Sequence, residues 1–307
     1  MIYSAEAVTS KHPDKICDQI SDAILDECLK QDPMSRVAVE TMGGHGKIFL
    51  TGEITTEAVV NYAQIAQTIY GKKIDVLSHI ATQSPEISQG VNNGGAGDQG
   101  VMIGYACQEN EQYLPQEVYI ARKILEPFNV DGKSQVTIDN GDITSIVLSV
   151  QGKTQLELRR YIQDTYPTTP LFCNNTGSFD VGGFDADAGV TGRKIVVDAY
   201  GPRVPVGGGA FSGKDPTKVD RSAAYMARWV ALQFLKLGAQ EALVKLGYVI
   251  GSAEPLMKTA IVDGEEQSFT WDCRPQAIIE RFDLRKPIYL QTARDGHFGI
   301  SSYPWEQ

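Results

Sequence analysis

Two kinds of apolar spacing alternate along this chain, and that alternation most limits what it can fold into. Runs in which every second residue is apolar read as strands, and runs in which apolar residues recur every three or four positions read as helices. Arg36 to Thr41 and Lys47 to Thr51 form a predicted hairpin closed by Gly43-Gly44-His45-Gly46, with His45 a turn residue. Ser134 to Ile138 and Ile143 to Val150 form another around Asn140-Gly141, and a third turns at Asp263-Gly264. Helical spacing marks Pro13 to the residue before Asp32-Pro33, Thr56 to Tyr70, Tyr113 to Leu125, Leu156 to Tyr166, Asp220 to Leu237, and a segment near Pro275 to Phe282. Further strands are expected at Ile195 to Tyr200 and near Tyr248 to Ser252, while Gln83 to Gly104 reads as irregular and glycine-rich. This succession predicts an α+β protein built of repeated hairpin-and-helix units, and 307 residues are enough for two or three of them.

Charge excludes some functions. A formal net charge of -10 disfavours nucleic acid or an anionic membrane as the main partner, so any anion site must be a local basic pocket. The start lacks the pattern of a signal peptide, and no stretch approaches the ~18 apolar residues of a membrane helix, which predicts a cytoplasmic protein. Five scattered cysteines, never spaced C-x-x-C, predict buried reduced thiols rather than disulfides or zinc.

The richest stretch chemically is Gly207 to Ser222, where Gly207, Gly208, Gly209 and Gly213 accompany Lys214, Asp215, Lys218 and Asp220 ahead of a helix. Flexible backbone, lysines and carboxylates suit bound polyphosphate and a cation, although a solvated surface loop has the same composition. Gly208 to Lys214 follows the phosphate-loop pattern until Asp215 stands where a metal-binding hydroxyl is required, and Pro216 delays the helix. Gly95 to Gly100 is formally G-x-G-x-x-G but lacks the preceding buried strand of a dinucleotide site. Asp14, Asp18, Asp22 and Asp26 recur every four residues; the last three read as a solvated helix face. Asp14 differs, because it sits at the helix mouth beside His12 and Lys15, where a metal or phosphate could be met. Glu40 and Glu53, on or just beyond apolar strands, need partners. Lys133 reads as a surface lysine, Asp185 and Asp187 as turn formers or site candidates beside Arg193-Lys194, and His297 as structural.

Taken in order, His12-Pro13-Asp14-Lys15, Gly52-Glu53-Ile54-Thr55, Gln83-Ser84-Pro85, Gly95-Ala96-Gly97-Asp98-Gln99-Gly100, Gly189-Val190-Thr191-Gly192-Arg193-Lys194 and Gly207 to Pro216 resemble the S-adenosylmethionine synthetase (methionine adenosyltransferase) family. The similarity runs from residue 1 to Pro304-Trp305-Glu306. It implies three pseudo-symmetric α+β subdomains with mixed sheets and helices on one face, divided linearly at about 1–92, 93–180 and 181–307 but interleaved in sequence. It also implies a homodimer with active sites between subunits, ATP and methionine as substrates, and Mg²⁺ and K⁺ as cofactors.

The resemblance further implies roles, position by position. Asp14 and Asp220 match Mg²⁺ ligands, and Glu40 the residue near K⁺. His12, Lys133, Arg193, Lys194 and Lys214 match triphosphate contacts, with Lys15 also on the ATP side. Glu53, Gln83, Asp187 and Lys218 match the methionine pocket; Asp98, Phe179 and Ile250 match the nucleoside pocket. The chain departs from the family in a gating loop cut to Val91–Gly94, in shortened segments between Gln112 and Lys133 and between Val150 and Phe172, and in Lys11 standing for a customary glycine. A shortened loop implies a more open site.

Overall fold

The computed structural model describes residues 1–82 and 94–307. Three four-stranded sheets organise them, each drawing strands from distant parts of the chain. The first holds β2 (Arg36–Gly44), β3 (Lys47–Thr55), β4 (Asp75–Ala81) and β9 (Gly189–Val190) in the order β4-β3-β2-β9. The second joins β1 (Ile2–Val8) to β6 (Gly132–Asp139), β7 (Asp142–Val150) and β8 (Leu171–Cys173) in that order. The third places β5 (Gly100–Cys107) beside β10 (Glu241–Tyr248), which continues into β11 (Met257–Val262) and β12 (Glu265–Gln267). Two pairings, β3 with β4 and β7 with β8, are parallel and the remainder antiparallel, so the sheets include mixed ones.

Helices cover one face of each sheet. Helix α1 (Pro13–Gln31) packs on β2, with α2 (Tyr62–Tyr70) beside it. Helices α3 (Gln116–Leu125) and α4 (Gln155–Gln163) cover the second sheet and enclose a separate apolar core. The third sheet takes α6 (Val219–Lys236), flanked by α7 (Pro275–Phe282), while α8 (Tyr289–Asp295) leans on α1. The short α5 (Ile195–Asp198) completes the eight α-helices of the described residues. Close contact of α6 with β5 depends on Gly104, whose Cβ would lie 2.0 Å from the Ala227 carbonyl carbon. All five cysteines are buried and free, and no helix among the described residues is long and apolar enough to cross a membrane.

The hairpins at 43–46, 140–141 and 263–264, and the helices at 13–31, 219–236 and 275–282, follow the sequence spacing. Elsewhere the structure corrects it. Residues 56–61 stay irregular because their donors are taken by side chains near the end of α1. The Glu57 amide donates to Asp32, and the Val59 amide to Gln31, leaving Val59 89% exposed. The helix expected from Tyr113 begins at Gln116, since Tyr113 adopts a left-handed backbone with φ 54°. Residues 195–198 are helical rather than extended, with the Asp198 amide donating to the Lys194 carbonyl at 2.8 Å. The strand expected at 248–252 lies earlier, at 241–248, and the irregular reading of residues up to 104 hid β5. The carboxylates of Asp18, Asp22 and Asp26 do not form a solvated face: Asp18 and Asp22 have no exposed surface, and Asp26 is mostly buried.

Candidate functional site

Four aspartates on α1 and the open edge of β2 assemble the site from loops far away in sequence. Asp14 accepts from the Val190 amide at 2.9 Å, Asp18 from Gly192 at 2.8 Å, and Asp22 from Gly213 at 2.8 Å. Asp26 accepts from Tyr289 and Leu290 at 2.9 and 2.8 Å. The edge of β2 meanwhile takes β9 at Met42–Gly43 and the Lys214 segment at Ala38. Gly189 lets the first loop rest on the start of α1, because a Cβ there would meet Pro13 at 2.2 Å. Spacing of i, i+4, i+8 and i+12 on one helix stripe was the available signal for this arrangement, and burial decides its meaning.

At the mouth of α1, His12 is the N-cap: its Nδ1 accepts from the Asp14 amide at 3.2 Å. Burial, with Lys194 next, holds the imidazole below its ordinary pKa, so near pH 7 the ring is neutral. An accepting Nδ1 then places the proton on Nε2, which leaves His12 a hydrogen-bond donor. Lys133 and Asp131 are close enough to act on the same ring. Asp14 is met by Lys194 Nζ at 2.5 Å and Arg193 Nε at 3.3 Å. Burial pushes its carboxyl up, but hydrogen bonds from Lys194 and the Val190 amide outweigh this and hold it below the ordinary range. Lys133 pairs with Glu6 at 2.5 Å on the uncovered face of the second sheet.

The Gly207–Ser222 stretch is no phosphate loop. Gly213 to Asp215 run along β2, with the Val39 amide donating to Gly213 O and the Asp215 amide to Val37 O, both at 3.0 Å. Buried Asp215 accepts from the Val37 amide at 2.7 Å and the Thr217 amide at 2.9 Å, and Lys218 Nζ closes on it. It ties the chain leading into α6 to the edge of β2, a structural role at the position where a phosphate loop carries a hydroxyl. Lys214 reaches Asp220 at 2.5 Å, with Gly209 and Gly100 leaving room for that carboxylate. Next to it, Arg221 makes a buried two-point contact with Asp22 at 2.6 and 2.8 Å.

The remaining candidates are placed as follows. Glu40 and Glu53 are diagonal neighbours on the face of β2 and β3 that α1 leaves uncovered. Burial raises the Glu40 carboxyl, Lys214 opposes, and Glu53 adds to the rise. Ile250 is brought to the Asp98 loop by a bridge to Ala96. Phe179 is half-buried in a loop tied to Gly152 at 2.7 Å, and Asp187 is exposed, its carboxylate accepting from the Ala188 amide at 2.7 Å. Gln83 and most of the short loop after Gly90 lie outside the described residues. Lys15 is only 4% exposed, held by Asp198 at 2.6 Å and Asp18 at 3.0 Å. His297 is buried against the Tyr225 hydroxyl at 2.8 Å, as a structural residue should be.

Chemically the site pairs its cations with carboxylates, Arg193 and Lys194 with Asp14 and Lys214 with Asp220, an arrangement suited to holding an extended anion and not to acid–base work. Comparison with known proteins agrees with that character. The N-terminal, central and C-terminal domain models of S-adenosylmethionine synthetase match residues 1–85, 93–169 and 181–307. An S-adenosylmethionine synthase of Brachyspira hyodysenteriae is 42% identical over 375 aligned positions, covering 99% of this chain and 95% of that protein. One of Clostridium tetani is 41% identical over 376, covering 99% and 96%, and one of Staphylococcus epidermidis 40% over 381, covering 100% and 95%. These alignments are longer than the 307 residues of this chain, so the relatives carry internal segments that it lacks.

Proposed function

The chain belongs to the S-adenosylmethionine synthetase family and is a methionine adenosyltransferase, making S-adenosylmethionine from ATP and methionine, and we propose that the cations gathered on α1 and β2 drive the reaction. The methionine sulfur is already a neutral nucleophile, so attack on the ribose C5′ needs orientation and stabilisation of charge moving onto the leaving triphosphate. Arg193, Lys194 and Lys214 hold the triphosphate, exchanging their carboxylate partners Asp14 and Asp220 for phosphate oxygens. His12, neutral and donating through Nε2, and Lys133 face the oxygen that leaves C5′. The observation that carries this reading is the pairing of Lys194 with Asp14 and of Lys214 with Asp220, each at 2.5 Å.

Among the described residues no group of three or more His, Cys, Asp or Glu is arranged to hold a metal. Mg²⁺ commonly takes one or two carboxylates and completes its shell with phosphate oxygens and water, so Asp14 and Asp220 fit it as a substrate-dependent ion. Glu40, beside Glu53, fits K⁺. When bound, the divalent ion would neutralise charge accumulating on the displaced triphosphate, which is then hydrolysed to phosphate and diphosphate. Glu53 meets the methionine amino group, with Asp187, Lys218 and Gln83 on the same side; Asp98, Phe179 and Ile250 receive the nucleoside.

A homodimer completes the site in this reading. Met42, Phe49 and Leu77 form one cross-strand row on the uncovered face of the first sheet and are 47%, 39% and 52% exposed. Glu40 and Glu53 share that face, so the partner that covers the apolar row also closes over them. Five buried reduced thiols support a cytoplasmic setting. Mass spectrometry of purified protein with ATP, methionine, Mg²⁺ and K⁺ tests the reaction. Methionine-dependent sulfonium product with phosphate and diphosphate is expected; ADP formation without methionine would refute it.

A further inference from the structure

Resting on the triphosphate reading of Arg193 and Lys194, we propose that Lys15 is a positioning residue, which with Asp18 and Asp198 forms a buried strut fixing those two cations. The segment from Gly192 to Asp198 is held to α1 at both ends. At one end the Gly192 amide donates to Asp18 Oδ1 at 2.8 Å. At the other, Lys15 Nζ donates to Asp198 Oδ1 at 2.6 Å and lies 3.0 Å from Asp18 Oδ2, so the two anchors are themselves joined. Arg193 and Lys194 lie between these anchors, and α5 carries the chain from Lys194 directly into Asp198.

The surroundings of Lys15 leave it little capacity to meet a nucleotide. Only 4% of the residue is exposed, Asp198 is 5% exposed and Asp18 has no exposed surface. The Lys15 ammonium lies 2.6 Å from Asp198 and 3.0 Å from Asp18, so its charge is already matched by two carboxylates. A phosphate arriving there would have to displace a buried anion. Arg193, by contrast, has a side chain 52% exposed, and Lys194 pairs with Asp14 at the helix mouth. The strut thus orders a loop whose two cations meet Asp14 at the helix mouth.

A mutant cycle tests this with Lys15→Met, Asp198→Asn and their double variant. Each single variant is expected to lower kcat by roughly 10- to 100-fold with a much smaller change in the KM for ATP, as expected for misplaced groups. The double variant is expected to be no worse than the poorer single one, because both break the same strut. Amide hydrogen exchange over residues 189–198 should quicken in all three, and this readout needs no turnover. It therefore tests the strut even if the wild-type protein were to make a different product, which would refute the reaction alone. Weaker binding of inorganic tripolyphosphate in Lys15→Met but not in Asp198→Asn would overturn the proposal and make Lys15 a direct contact. Additive losses or unchanged exchange would overturn it as well. Should Lys15→Met fail to fold, Asp198→Asn carries the kinetic and exchange comparisons alone, since it removes the charge that Lys15 pairs with while keeping the side chain's size.

Discussion

Asn in place of Asp220 keeps the side chain's size while removing the charge that Lys214 holds at 2.5 Å. Synthesis is expected to fall by roughly 100-fold or more, with the Mg²⁺ concentration for half-maximal rate raised and the melting temperature little changed. Mg²⁺ titration beside thermal melting checks this; an active variant with unaltered Mg²⁺ dependence would remove Asp220 from the site. Asp26 supports a prediction about stability. Burial lifts its carboxyl to about 6, against the opposing Leu290 and Tyr289 amides. A folded-state pKa above the unfolded value of 3.8 favours the folded protein most at low pH, and this advantage is lost as pH rises through about 6. Denaturant titrations of wild type and Asp26→Asn should therefore diverge by about 2 kcal/mol in favour of the variant between pH 4 and pH 7. At this scale, individual roles were only partly legible in the sequence. Asp215 was visible as a misfit to the phosphate-loop pattern, but its buried contact with Val37 belongs to tertiary structure. The stripe Asp18, Asp22 and Asp26 was equally visible, and only packing distinguishes a buried anchor from a solvated carboxylate.

Elements were read best where one strong period governed them. Helices α1 and α6 carry apolar residues every three or four positions and end at Asp32 and Gly238, so their limits were legible to about a residue. The segments read wrongly lack such a pattern. Residues 195–197 are apolar and all β-branched, which favours a strand locally, yet the anchors at Gly192 and Asp198 close the segment into a turn of helix. Strand β5 was missed because glycines at 100 and 104 resemble loop composition. Gly104 is instead the point where α6 touches the sheet, and Gly104→Ala must move one from the other. A loss of about 1–3 kcal/mol is expected from overpacking, read as a lower urea midpoint with an unchanged slope. An unaffected midpoint would show that the helix has freedom to shift.

For the whole molecule, the row Met42–Phe49–Leu77 predicts that Phe49→Glu converts a dimer to a monomer. Light scattering should then give half the wild-type mass, with synthesis falling in step, whereas a wild-type protein already monomeric would refute the interface. The α+β class and family were legible because motif order survives where surface segments are cut. Pairing between distant strands was not, since β1 finds β6 and β5 finds β10 through no local signal. The carboxylates of α1 add a consequence for the order of folding. Their backbone partners lie 176, 174, 191 and 263 residues further along the chain. During synthesis the helix therefore waits, its polar stripe in water, until nearly all of the polypeptide has left the ribosome. The first helix to emerge is among the last to be completed, because Asp26 finds its partners only once Tyr289 and Leu290 have been made.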